Sequence, residues 1–170
     1  RGFWPPEMAF TPDMVPALAR AGYEYVVVDA AHVRPFDDIQ DWFQPYKACW
    51  DGYTITVVPR EPDLSAAQAD GMSAAWFANE GRWKGNFSPR PGDDRLITTW
   101  SDGENTPWFR EMNEEVGFFG GYFCPYMEHA RNGEYPIKTT SIVEYLQYHP
   151  PQIEARVDSG AGQWSGSESQ

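Results

Sequence analysis

Cysteine is scarce in this chain: Cys49 and Cys124 are the two in 170 residues. They form no CxxC pair and no zinc-finger spacing, so neither a disulfide-stapled miniature fold nor a structural zinc module is available. A reduced pair, and with it a cytoplasmic setting, is the expectation. Histidine is scarcer than a metalloenzyme would want, with His32, His129 and His149 alone. Positive charge is short as well. Thirteen Lys and Arg face 25 Asp and Glu, for a formal net charge of -12. A surface this negative repels phosphate backbones and anionic headgroups, so neither nucleic acid nor a membrane is an expected partner. No apolar run approaches the ~20 residues of a membrane span, and no secretory leader is visible. There is no G-x-S-x-G elbow and no Gly-rich phosphate loop ending in Lys-Ser. Serine-nucleophile hydrolysis and P-loop chemistry therefore find no support.

Aromatic residues are abundant, at 16% of the chain with 8 Trp, 9 Tyr and 10 Phe. The length suffices for one domain with a substantial core. The chain begins with Arg1, directly in what reads as a strand end, and finishes in Ser165-Gly166-Ser167-Glu168-Ser169-Gln170. The expectation is a piece of a longer protein.

Along the chain, Gly2-Phe3-Trp4-Pro5-Pro6-Glu7 cannot be helical, because two prolines hold it extended. Thr11-Pro12-Asp13 predicts a helix start with Thr11 as cap, a stripe of Met14, Val15, Leu18 and Ala19, and a stop at Ala21-Gly22. Residues 23–29, ending in Val26-Val27-Val28-Asp29, read as a strand covered on both faces. Residues 35–50 read as an aromatic, acidic connection. Asp51-Gly52 is a turn and 53–59 a second strand, followed by a helical or loop segment from Asp63. Residues 79–94 read as a surface loop, and Leu96-Ile97-Thr98-Thr99-Trp100 as a third buried strand. A helix over 106–116, close packing at 117–126, a capped helix at 139–146 and a loop around Trp164 complete the order. Strands alternating with helices predict right-handed crossovers and a parallel sheet, with Glu7, Asp29, His32, Arg60, Glu61, Asp102 and Glu104 at the strand ends.

Two constellations carry chemistry. Glu7 follows Trp4-Pro5-Pro6, and Asp102 follows Trp100 in Trp100-Ser101-Asp102-Gly103-Glu104-Asn105. Two carboxylates from different segments, each beside an aromatic residue, are what glycosidic cleavage requires: one protonates the leaving oxygen and the other attacks the anomeric carbon. Asp29-x-x-His32 is a second candidate. An Asp and a His at a strand end can ligate a metal in a carbohydrate deacetylase, given a third ligand from His129 or His149.

At Gly2-Phe3-Trp4-Pro5-Pro6-Glu7-Met8-Ala9 together with Thr99-Trp100-Ser101-Asp102-Gly103-Glu104-Asn105, the chain resembles glycoside hydrolase family 57. The likeness extends through Gly22-Tyr23 to Asp29, Arg60 with Leu64-Ser65, and the segment from Trp108, essentially all of residues 1–170. It implies an α/β fold, an incomplete parallel (β/α)7-type barrel of which this chain is a fragment. It implies also that 1–170 is part of one barrel catalytic domain, without its N-terminal strands and C-terminal region. The family's N-terminal blocks, a His-Gln-Pro-like strand and a Gly-x-x-Glu-like segment, have no counterpart here. The resemblance implies a retaining glycosidase or glucanotransferase acting on α-glucans or maltooligosaccharides, with Glu7 as nucleophile and Asp102 as general acid/base. Retention sets their carboxyl groups about 5–5.5 Å apart. Trp4, Trp100 and Trp108 are the expected stacking walls, and His32, Arg60 and Glu104 the expected hydroxyl contacts. No cofactor and no metal is required. A non-catalytic glucan-binding relative and the metal-dependent deacetylase stay open as alternatives. Nothing in the sequence sets the oligomeric state.

Overall fold

The computed structural model describes residues 1–90, 92, 94–100 and 118–158. The chain divides into two compact units, one of residues 1–62, 88–98 and 141–170, the other of 63–87 and 99–140.

The first unit is built on a four-stranded sheet in the order β1-β2-β5-β4, with β1 Gly2–Phe3, β2 Tyr25–Asp29, β4 Tyr46–Trp50 and β5 Tyr53–Arg60. β1, β2 and β5 run parallel, with Phe3 opposite Val26, Val26 opposite Val57 and Asp29 opposite Arg60. The continuous apolar run of β2 has its cause in burial on both faces. Val26, Val27 and Val28 are all sequestered although their side chains alternate across the sheet. Val26 and Val28 join Ile55, Val57, Phe10, Val15 and Leu18 in one core cluster. α1 (Val15–Arg20) closes the β1–β2 crossover, and Gly22 takes the left-handed conformation (φ 78°) that ends it. The expected cap, Thr11, accepts no backbone N–H through its side chain. It precedes a 3₁₀ turn at Pro12–Met14 that leads into α1.

Several features correct the sequence expectation. The aromatic connection 35–50 contains β4, which pairs antiparallel with β5 through the Asp51-Gly52 turn. It also contains the end of β3 (Val33–Pro35), which pairs antiparallel with β6 (Ala155–Val157) in a second small sheet. Polar spacing hid β4, because only Tyr46 and Ala48 of its five residues turn inward. The 96–100 stretch is not a strand. It is tied at single points, Leu96 N–H to the Phe43 carbonyl at 2.9 Å and Glu61 N–H to the Thr98 carbonyl at 2.8 Å. Leu96 and Thr98 are buried between more open neighbours, which reproduces a strand's alternation without a ladder. α5 (Ile142–Tyr148) starts one turn later than predicted, with Ser141 accepting from Glu144 N–H as its cap.

The second unit holds all of α2 (Pro62–Ala69) but its first residue, α3 (Ala74–Asn86), a π-helical turn at Phe118–Phe123 and α4 (Cys124–Arg131). α3 replaces the first half of the loop expected over 79–94. Glycines at 81 and 85 suggested a break, but Ala74, Phe77, Ala78 and Gly81 form a buried i, i+3, i+4, i+7 stripe. Gly81 lies on the buried side of the helix and does not break it. Phe77 packs on Tyr122 (4.8 Å) and Tyr126 (5.5 Å), and burial pushes both tyrosine hydroxyls above their ordinary pKa. The predicted helix at 106–116 and the loop around Trp164 lie outside the described residues.

Candidate active site

Because β1, β2 and β5 are parallel, the segments leaving them emerge at one edge of the sheet, where ligands bind in such folds. Trp4 and Glu7 follow β1, Asp29 and His32 end and follow β2, and Arg60 and Glu61 end and follow β5. All six belong to the first unit.

Glu7 sits in a 3₁₀ turn, Pro6–Met8, and its backbone is left-handed (φ 56°, ψ 19°), as is that of Met8 (φ 54°). For L-residues this costs roughly 1–2 kcal/mol each. The turn is held by Met8 N–H donating to the Pro5 carbonyl at 2.9 Å and Ala9 N–H to Pro6 at 3.0 Å. Met8 is buried to 1% exposure, and Glu7 is turned outward. Consecutive left-handed, non-glycine residues, one of them an exposed glutamate at a sheet's C-terminal edge, are the kind of strain that accumulates at functional sites.

Asp29 and Arg60 are opposite one another in the β2–β5 register and form a buried ion pair, Nη1 to Oδ2 at 2.9 Å. The other carboxylate oxygen of Asp29 accepts the Ala31 N–H at 3.0 Å, capping the short 3₁₀ turn Ala30–His32. Asp29 is thus engaged at both oxygens, and a guanidinium occupies the place a cation would need. This works against the Asp29–His32 metal site. Among the described residues no three His, Cys, Asp or Glu side chains converge as a metal site. His32 is half-buried at the end of that turn, and its carbonyl accepts Asp158 N–H at 3.0 Å. Glu61 is fully buried.

The stem leading to Asp102 is held in the second unit by side chains the sequence did not single out for this purpose. Ser65 Oγ accepts Trp100 N–H at 3.0 Å. Gln68 Oε1 accepts the Thr99 hydroxyl at 2.6 Å and the Tyr122 hydroxyl at 3.4 Å. Ser65 and Gln68 are three residues apart on α2, so they share one face. That Ser-x-x-Gln spacing was the signal available. Trp100 is half-buried. Asp102, Glu104 and Trp108 lie outside the described residues.

The described elements are α/β, with polar groups gathered at strand C-termini, and the family match and solved structures that follow make them a portion of an incomplete (β/α)7-type barrel. The model of glycosyl hydrolase family 57 matches residues 1–157, and the chain belongs to that family. Two solved structures share the fold. One is a 4-alpha-glucanotransferase from Thermococcus litoralis, at 21% identity and a TM-score of 0.54, covering 93% of this chain and 22% of that one. The other is an exo-type maltose-forming amylase from Pyrococcus sp. ST04, at 18% identity and a TM-score of 0.68, covering 98% and 29%. The chain thus spans less than a third of the length of either enzyme. No curated protein matches it. Among the described residues no helix is long and apolar enough to cross a membrane.

Proposed function

We propose that this chain is part of the barrel catalytic domain of a retaining α-glucan hydrolase or glucanotransferase. Membership of glycosyl hydrolase family 57 carries the proposal, and the setting of Glu7 supports it. Glu7 attacks the anomeric carbon as the glycosidic C–O bond breaks, giving a β-linked glycosyl ester. Asp102 donates its proton to the departing oxygen, then takes a proton from water or an acceptor hydroxyl, which displaces Glu7 and restores the α-configuration. Trp4 and Trp100 stack on sugar rings, joined by Trp108, while His32 and Glu104 bind hydroxyls. Arg60, paired with Asp29, acts by holding the ends of β2 and β5.

The test is turnover of maltooligosaccharides followed by NMR. The expected first-formed anomer is α. Asp102→Asn should lower the rate by about 10²–10⁴-fold, and Glu7→Gln at least as much. Binding of maltooligosaccharides without turnover by the unmodified protein would favour the non-catalytic relative instead.

A further inference from the structure

α3 carries a second stripe with the spacing of its core stripe but displaced by two positions: Trp76, Asn79, Glu80 and Trp83. Two residues correspond to roughly 200° around a helix, so this stripe faces away from the buried one. Both indoles are exposed, Trp76 at 39% and Trp83 at 56%, and the four side chains line an open cavity of about 390 Å³. Trp83 is braced from the C-terminal side by Phe87, ring centroids 4.7 Å apart. Ser73 fixes the start of the helix by accepting Trp76 N–H at 3.3 Å. Among the described residues, no side-chain hydrogen bond or ion pair engages Asn79 or Glu80.

Two large aromatic side chains on the outer face of a helix are an expensive use of surface, and exposed apolar patches of this kind mark binding sites. The polar pair between them decides what binds. An apolar protein segment laid over the stripe would bury an amide and a carboxylate without partners, which is costly. An anionic ligand would meet Glu80 in a chain of net charge -12. A neutral pyranose satisfies both demands, with its C–H faces on the indoles and its hydroxyls on Asn79 and Glu80. We infer that α3 presents a carbohydrate-binding site of its own, which holds a stretch of α-glucan on Trp76 and Trp83. The choice of α-glucan as the sugar rests on the proposed function above; the site itself rests on α3.

Affinity electrophoresis through gels containing glycogen or soluble starch tests this, alongside initial rates on maltotetraose. The unmodified protein should be retarded. Trp76→Ala and Trp83→Ala should each weaken apparent binding about tenfold or more, as aromatic anchors do, and Asn79→Ala should weaken it less. Maltotetraose turnover should be unchanged in all three, and Glu7→Gln should be retarded like the unmodified protein. Retention of full retardation by Trp76→Ala and Trp83→Ala overturns the inference. So does unchanged retardation accompanied by a fall of several degrees in Tm, which would mark the face as packed against protein. If Glu7→Gln keeps its activity while the tryptophan variants lose retardation, the assignment of the nucleophile fails and the α3 site stands. Normal turnover without retardation of the unmodified protein overturns the α3 site and leaves the nucleophile assignment standing.

Discussion

Charged residues at the strand ends divide by role according to what they touch. Asp29 is held by Arg60 and by a backbone N–H in a buried position, so its carboxylate organises the site rather than reacting in it. Removing one member of a buried ion pair strands the other, at a typical cost of about 3–5 kcal/mol. Asp29→Asn is therefore expected to lower unfolding free energy by about 3 kcal/mol in a urea titration, and a loss below about 1 kcal/mol would contradict the pairing. The exposed Asp37 behaves differently. Bidentate hydrogen bonding from Arg90 lowers its pKa to about 2. Because the folded value lies below the ordinary one near 3.9, the contribution of this contact is complete above that pH and fades as pH falls through about 2. A carboxyl titration by NMR should find the Asp37 midpoint near 2, and Arg90→Gln should return it towards the ordinary range.

Elements were legible where one physical signal dominated. The all-apolar run Val26-Val27-Val28 announced a doubly covered strand, and two prolines announced the non-helical Glu7 segment. β4 was hidden because only two of its five residues turn inward, and α3 because glycine reads as a breaker until its place on the packed stripe is seen. The 96–100 stretch had strand composition but obtains its order from single bonds to Phe43, Glu61, Ser65 and Gln68, which no local pattern encodes. Of the site, the residues at the ends of β1, β2 and β5 could be read in advance. The Asp29–Arg60 pairing could not, since it depends on strand register. For α3, the start depends on Ser73, whose hydroxyl accepts Trp76 N–H. Ser73→Ala should cost about 1 kcal/mol, and Ser73→Asp should restore most of it. A loss of helix stability equal in both variants would show that the cap is not what starts α3.

At the scale of the molecule, the parallel strands β1, β2 and β5 explain why residues distant in sequence reach one edge, and the left-handed turn after Pro5-Pro6 explains why Glu7 faces outward there. We propose Glu7 as the nucleophile and Asp102 as the acid/base. Azide rescue with an α-glucosyl donor bearing a good leaving group addresses both at once. Glu7→Gly should use azide to give the β-glycosyl azide, by one displacement on the opened face. Asp102→Gly should give the α-glycosyl azide, because azide then attacks a glycosyl ester already formed on Glu7. The same anomer from both variants, or no rescue of either while the unmodified protein turns over the donor, would contradict the assignment.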